Sequence, residues 1–137
     1  AFGHSAGGHL TAALLATDWH ALDPALPADL VPAGFSLSGL FDLEPLVPIY
    51  LNEALKLDNA EALAMSPAYR QRRVDCEFTA AVGGGELEEF HRQNALIGAA
   101  WQGVREWTLP GHNHFSIVDQ LTHEDTALFA HVAQALR

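Results

Sequence analysis

A serine between two glycines, each two residues away, is the part of this 137-residue sequence best suited to covalent chemistry. Gly3-His4-Ser5-Ala6-Gly7 fits the pattern G-x-S-x-G. That spacing suits a strand that turns sharply into a helix and holds the serine in a strained backbone conformation. Both glycines are expected to be bare because strand and helix pass close there. The Ser5 hydroxyl then stands above the sheet, and the N–H of Ala6 faces the oxyanion that forms on an attacked carbonyl. The helix start adds potential favourable to negative charge. Five residues are a weak pattern alone, and an ordinary glycine-rich helix entry satisfies them too.

A serine nucleophile needs a base, and the base needs an acid to orient it. Open parallel sheets collect functional groups at the carboxyl ends of their strands. Glu86 follows the run "AAVGGG" and His114 lies in "LPGHNHFS", both just past strand-like segments. Asp42, after the run that ends near Ser38, is the second candidate acid. Glu88 and Glu89 read as a solvated helix face. His112 competes with His114 as base and otherwise reads as loop surface. An H-x-H pair can hold metal, but no third ligand follows at zinc-like spacing, so no metal is expected. His4 and His9 flank the serine and read mainly as packing around the turn. His4, Asp42 and Tyr50, with Trp19, are retained as weak substrate-pocket candidates. His20, His91, His123 and His131 read as surface, and Trp101 and Trp107 as core.

The positioning elements follow from periodicity. Residues 5–17 are apolar at helical spacing after a Ser-Ala-Gly-Gly entry. Residues 18–30 read as loop, and 31–38 as a short strand. Residues 40–72 read as loop and short helix, broken by Pro45, Pro48 and Pro67. Residues 77–83 and 104–109 are the second and third strands, and 86–102 an amphipathic helix with Glu86, Glu88 and Glu89 in its first turn. Residues 121–136 make a last helix, apolar at Ala127, Leu128, Ala130, Val132, Ala133 and Leu136. Strands alternating with helices predict an α/β fold: a parallel sheet flanked by helices.

Composition narrows the partners. Seven Lys and Arg stand against seventeen Asp and Glu, a net charge of −10. There is no basic stripe for nucleic acid or an anionic membrane surface. No apolar run reaches the roughly 18–20 residues of a membrane span. No signal peptide is readable. One cysteine, Cys76, leaves no internal disulfide, suits a reducing cytoplasmic compartment and reads as a buried inert thiol.

The blocks "GHSAGGHL", "SGLFDLEPL", "VGGGELEEFHRQ" and "PGHNHFSIVDQL" together resemble the α/β-hydrolase family, in its branch of arylformamidases (kynurenine formamidases) and small esterases. They spread across almost the whole chain. The resemblance implies Ser5 as nucleophile, Glu86 as acid and His114 as base, in the family's order of serine, acid and histidine. It implies hydrolysis of an N-formyl arylamine such as N-formylkynurenine, or of a small ester, with a small-molecule substrate and no cofactor. It also implies strands and an HGG-type loop, with a second oxyanion donor, ahead of the serine. Residues 1–137 are therefore expected to be a partial domain, the C-terminal half, with little activity alone. An uncovered sheet edge favours association, so a homo-oligomer is kept among the partners. A non-catalytic interaction module on the same fold is the reading from another class; Ser5 and His114 being present together argues against it.

Overall fold

The computed structural model describes residues 1–135. Leu136, expected at the end of the last helix, lies outside the described residues. Four parallel strands form one sheet in the order β1 (Phe2–His4), β2 (Ala33–Leu37), β3 (Glu77–Gly83), β4 (Val104–Leu109). Helices fill the three crossovers, α1 (Ala6–Leu15) and α2 (Trp19–Leu22) after β1, α3 (Asn52–Leu55) and α4 (Asn59–Met65) after β2, and α5 (Glu88–Ala100) after β3, and α6 (Ala127–Ala135) follows β4.

Strands β2 and β3 are largely apolar because both faces of the sheet are covered there. In β3, Phe78 and Ala80 face a cluster built from Ala12, Leu15, Ile97 and Trp101 of α1 and the α5 end. Ala81, of opposite parity, packs with Leu37, Leu109, Ile117 and Leu128 of α6 on the other side. Period-two alternation thus serves two cores rather than one core and solvent.

Several expectations need correction. The three strands read from periodicity omit the one before Ser5, which β1 supplies in only three residues. It pairs Phe2, Gly3 and His4 with Phe35, Ser36 and Leu37 of β2, a partnership too short for periodicity to signal. Within the expected loop 18–30, α2 forms a single turn because the Asp18 carboxylate accepts from the Ala21 N–H at 2.9 Å. The last helix begins at Ala127, not 121. Thr126 caps it, its hydroxyl accepting from the Phe129 N–H at 3.1 Å. Glu86 stands outside α5, in the turn before it, leaving Glu88 and Glu89 in the first helical turn. Trp19 packs beside the first cluster rather than in a substrate pocket. No helix among the described residues is long and apolar enough to cross a membrane.

His131 is not a surface residue. Its side chain is 10% exposed and its ring packs edge-on to Phe35 and Trp107. Arg105 donates toward Nδ1 at 3.3 Å, so the proton sits on Nε2, which donates to the Thr79 hydroxyl at 2.8 Å. Burial lowers the His131 pKa below its ordinary value of 6.5; the Arg105 charge adds to this and Glu77 opposes it. A depressed folded pKa gives stability that is present above the unfolded value and is lost as pH falls through the folded value. Stability measured by urea unfolding is therefore expected to decline as pH drops through about 6.5 and below. His131→Gln, which cannot titrate, should flatten that part of the slope, and an unaltered slope in the variant would contradict the assignment.

Candidate active site

The Ser5 turn is built on backbone constraint. Ser5 has φ 56° and ψ −117°, a region a non-glycine residue enters at a cost of roughly 1–3 kcal/mol. Two bonds hold it there. Its N–H donates to the Leu37 carbonyl at 2.9 Å, continuing the β1–β2 ladder, and its carbonyl accepts from the His9 N–H at 3.1 Å. Gly3 must be bare, since a Cβ there would overlap the Gly7 carbonyl. The second crowded glycine is Gly8, not Gly7: a Cβ on Gly8 would strike the Ser36 hydroxyl and Gly39, whereas one on Gly7 would meet nothing within 4 Å. The expectation that Gly7 is required by close approach is therefore corrected. Ala6 opens α1, and a first-turn N–H has no partner within its own helix.

His114 reaches Ser5 from the loop after β4. That loop is braced locally. The Asn113 side-chain oxygen accepts from the N–H groups of Phe115 and Ser116 at 2.9 and 3.0 Å. His112 is half-buried, not loop surface; its Nδ1 donates to the Ser116 carbonyl at 3.2 Å, and its own carbonyl accepts from the Gly85 N–H at 2.9 Å. His4 adds a brace from β1, donating from Nε2 to the His114 carbonyl at 2.6 Å. The His114 ring packs against those of His4 at 4.6 Å, Phe90 of α5 at 4.4 Å and Phe115 at 5.5 Å between centroids.

A continuous hydrogen-bonded path results. His114 Nδ1 stands 2.8 Å from Glu86 Oε2, and His114 Nε2 stands 3.1 Å from the Ser5 hydroxyl. The carboxylate only accepts, so Nδ1 carries the proton and Nε2 offers its lone pair to Ser5. The Glu86 side chain is fully buried and His114's is 22% exposed. Glu86 Oε1 accepts two more bonds, from the Ser38 hydroxyl at 2.6 Å and the Gly83 N–H at 2.7 Å.

Asp42 occupies a different environment. It is buried beside Arg92, whose guanidinium donates to Oδ2 at 2.8 Å and to Glu89 at 2.7 Å. Gln93 ties the same loop to α5, its Oε1 accepting from the N–H groups of Phe41 and Asp42 at 2.7 and 2.8 Å. The hydrogen bond from Arg92 holds the Glu89 carboxyl below its ordinary range. Asp42 thus fastens the loop after β2 to α5, and neither its hydrogen bonds nor its ion pair goes to His114. Glu89, expected on a solvated face, is half-buried in this network.

An apolar cavity of about 250 Å³ opens beside Ala6, lined by Leu40, Leu43, Leu46, Leu57 and Met65 among others. His9 lines it too, its Nε2 donating to the Met65 carbonyl at 2.9 Å. Tyr50 is 77% exposed and borders a separate depression with Val47 and Asn52. Cys76 is half-buried; burial raises its thiol pKa, and the Arg72 guanidinium opposes this while bonding the Cys76 carbonyl. No group of three or more His, Cys, Asp or Glu among the described residues is placed to hold a metal ion. Sequence reading missed Ser38 and Phe90. Only Ser38's place at a strand end could have signalled it, and Phe90 carried no chemical signal.

Known proteins are similar to this chain in sequence and fold. No family model matches the chain. Kynurenine formamidase of Danio rerio is 33% identical over 135 residues, covering 92% of this chain and 45% of the relative. That of Salmo salar is also 33% identical, with 90% and 44% covered. The chain therefore spans less than half the length of the curated relatives it matches. A solved structure from Silicibacter sp. TM1040, provisionally assigned as a thioesterase, superposes with a TM-score of 0.83 at 32% identity, covering 94% of this chain and 48% of that one. A thermophilic esterase from Thermogutta terrifontis shares the fold at a TM-score of 0.55 and 21% identity, with 94% and 51% covered.

The glycine geometry has a direct test. Gly3→Ala should destabilise the fold by about 2–3 kcal/mol, because backbone must shift to admit the methyl group. Gly7→Ala should cost nothing or stabilise by up to about 1 kcal/mol as a helix residue. Thermal unfolding of both variants checks the ranking, and the reverse order would contradict this turn geometry.

Proposed function

We propose that this chain, which has the α/β-hydrolase fold and is homologous to the kynurenine formamidases, carries the nucleophile, base and acid of a serine hydrolase. The observation that carries the reading is the path Ser5–His114–Glu86, with contacts of 3.1 and 2.8 Å. His114 Nε2 takes the Ser5 proton as Oγ adds to a substrate carbonyl. The negative charge that develops on the carbonyl oxygen is met by the Ala6 N–H and the start of α1. Glu86 keeps His114 in the productive tautomer and stabilises its imidazolium form. His114 then protonates the departing amine or alkoxide, and the C–N or C–O bond breaks. Water, deprotonated by His114, then adds to the acyl carbon, and the bond to Ser5 Oγ breaks as His114 returns the proton to that oxygen.

The substrate reading is an N-formyl arylamide of the N-formylkynurenine kind, supported by the two formamidase relatives. The cavity beside Ala6 suits an uncharged apolar arm, since its lining holds no charged carboxylate or ammonium group. A small-ester carboxylesterase is the second reading. It draws on the same cavity, which is wider than a formyl group requires, and on the thioesterase assignment of the Silicibacter neighbour. Either way the partner is a small molecule, and free Cys76 fits a cytoplasmic setting.

In the protein at its native length, Ser5→Ala should lower kcat by at least about 10³-fold. Glu86→Gln should lower it by about 10³–10⁴-fold through loss of the tautomer. Asp42→Asn should leave the pH dependence of kcat/KM where it was. A larger loss at Asp42 than at Glu86 would reverse the assignment of the acid. Comparing kcat/KM on N-formylkynurenine with that on nitrophenyl acetate separates the substrates, and a hundredfold preference for the ester would sink the formamidase reading.

A further inference from the structure

We propose that Ser38 is a positioning residue for the reaction: it fixes and partly disperses the charge of the Glu86 carboxylate, and so sets both the aim and the basicity of His114. The proposal rests on the assignment of Ser5, His114 and Glu86 above. Ser38 follows the last residue of β2, and its hydroxyl donates to Glu86 Oε1 at 2.6 Å. It is 1% exposed, so no water replaces that bond. Its backbone is held by the Ser38 N–H bonding the Ala81 carbonyl at 2.7 Å, one step beyond the β2–β3 ladder.

The backbone at this position sharpens the argument. Ser38 has φ 50°, in the left-handed region that glycine enters freely and serine does not. Backbone strain alone therefore favours glycine at 38, and the hydroxyl is what serine adds. With the Gly83 N–H at 2.7 Å, Ser38 locks Oε1 and leaves Oε2 aimed at His114 Nδ1. Without the hydroxyl, Glu86 keeps one donor on Oε1 and can rotate about its last torsion. Its charge is also less dispersed, so it holds the His114 proton more strongly.

The titratable groups facing His114 are Glu86 from the turn before α5 and His4 from β1, with His112 two residues away on the same loop. Helix α5 presents uncharged Phe90. Among these, Ser38 hydrogen-bonds Glu86, so a change at 38 reaches His114 through that carboxylate.

The test compares Ser38→Ala and Ser38→Gly in the protein at its native length, with Ser5→Ala as reference, on whichever of N-formylkynurenine and nitrophenyl acetate it hydrolyses. Alanine removes the hydroxyl and keeps the backbone strain, whereas glycine removes both and covers the case in which the alanine variant folds poorly. Both should lower kcat by about tenfold or more with KM little changed. Both should move the acid limb of the kcat/KM profile up by about half a pH unit, since a more basic His114 must lose its proton before it can act. A purely structural role would lower the Tm and leave that limb in place. Unmoved limbs and kcat within twofold in both variants, with Ser5→Ala inactive, would overturn the role of Ser38 and leave the serine-hydrolase reading standing. Retained activity in Ser5→Ala would overturn both.

Discussion

One backbone hydrogen bond, from the Ser5 N–H to the Leu37 carbonyl at 2.9 Å, ties the Ser5 turn to the sheet. A parallel ladder gives every strand the same direction, so all carboxyl ends finish on one side. The register pairs His4 with Leu37 and Leu37 with Ala81. The next residue on each of the first two strands, Ser5 and Ser38, therefore emerges at the same level. Each bonds its neighbour's last paired carbonyl, and each is driven into positive φ as the chain leaves the sheet. Strand β3 runs two residues farther, and the turn after Gly83 carries Glu86 back to them. The site is thus a consequence of register: a one-residue slip of β1 against β2 would take Ser5 away from Ser38 and Glu86 together.

The two buried carboxylates, Glu86 and Asp42, show how partners decide a role. The charge of Asp42 is met by the Arg92 guanidinium at 2.8 Å. A carboxylate neutralised in that way has little field left for a histidine. Glu86 receives donors that carry no charge, the Ser38 hydroxyl and the Gly83 N–H, along with His114. These bonds satisfy its oxygens without cancelling its charge, which remains available to an imidazolium on His114. Position in the sheet made both residues candidates, and their surroundings separate them.

Much of this was legible in the sequence for identifiable reasons. The spacing of Gly3, Ser5 and Gly7 carries a steric meaning, although the crowding falls on Gly3 and Gly8. Glu86 and His114 stood out because each follows an apolar run that ends in glycine or proline. Strand β1 was implied by the serine motif but invisible to periodicity, because three residues cannot show a period and its support comes from β2. Ser38 heads the block "SGLFDLEPL", but nothing in that block signals its partner; only the folded chain brings it 48 residues across to Glu86. His131 misled because its polarity suggested solvent, whereas Thr79 and Arg105 on neighbouring strands supply its partners inside. Tyr50 misled in the opposite sense: an aromatic near the pocket-forming segment points away from it.

If His114 and Glu86 act on Ser5 as proposed, its hydroxyl is activated above all others among the described residues. A fluorophosphonate probe reports this directly, because only an activated serine reacts with it at useful rates. Peptide mapping of the labelled native-length protein by mass spectrometry should place the adduct on the peptide that contains Ser5. An adduct on another residue, or an unlabelled protein, would contradict the account.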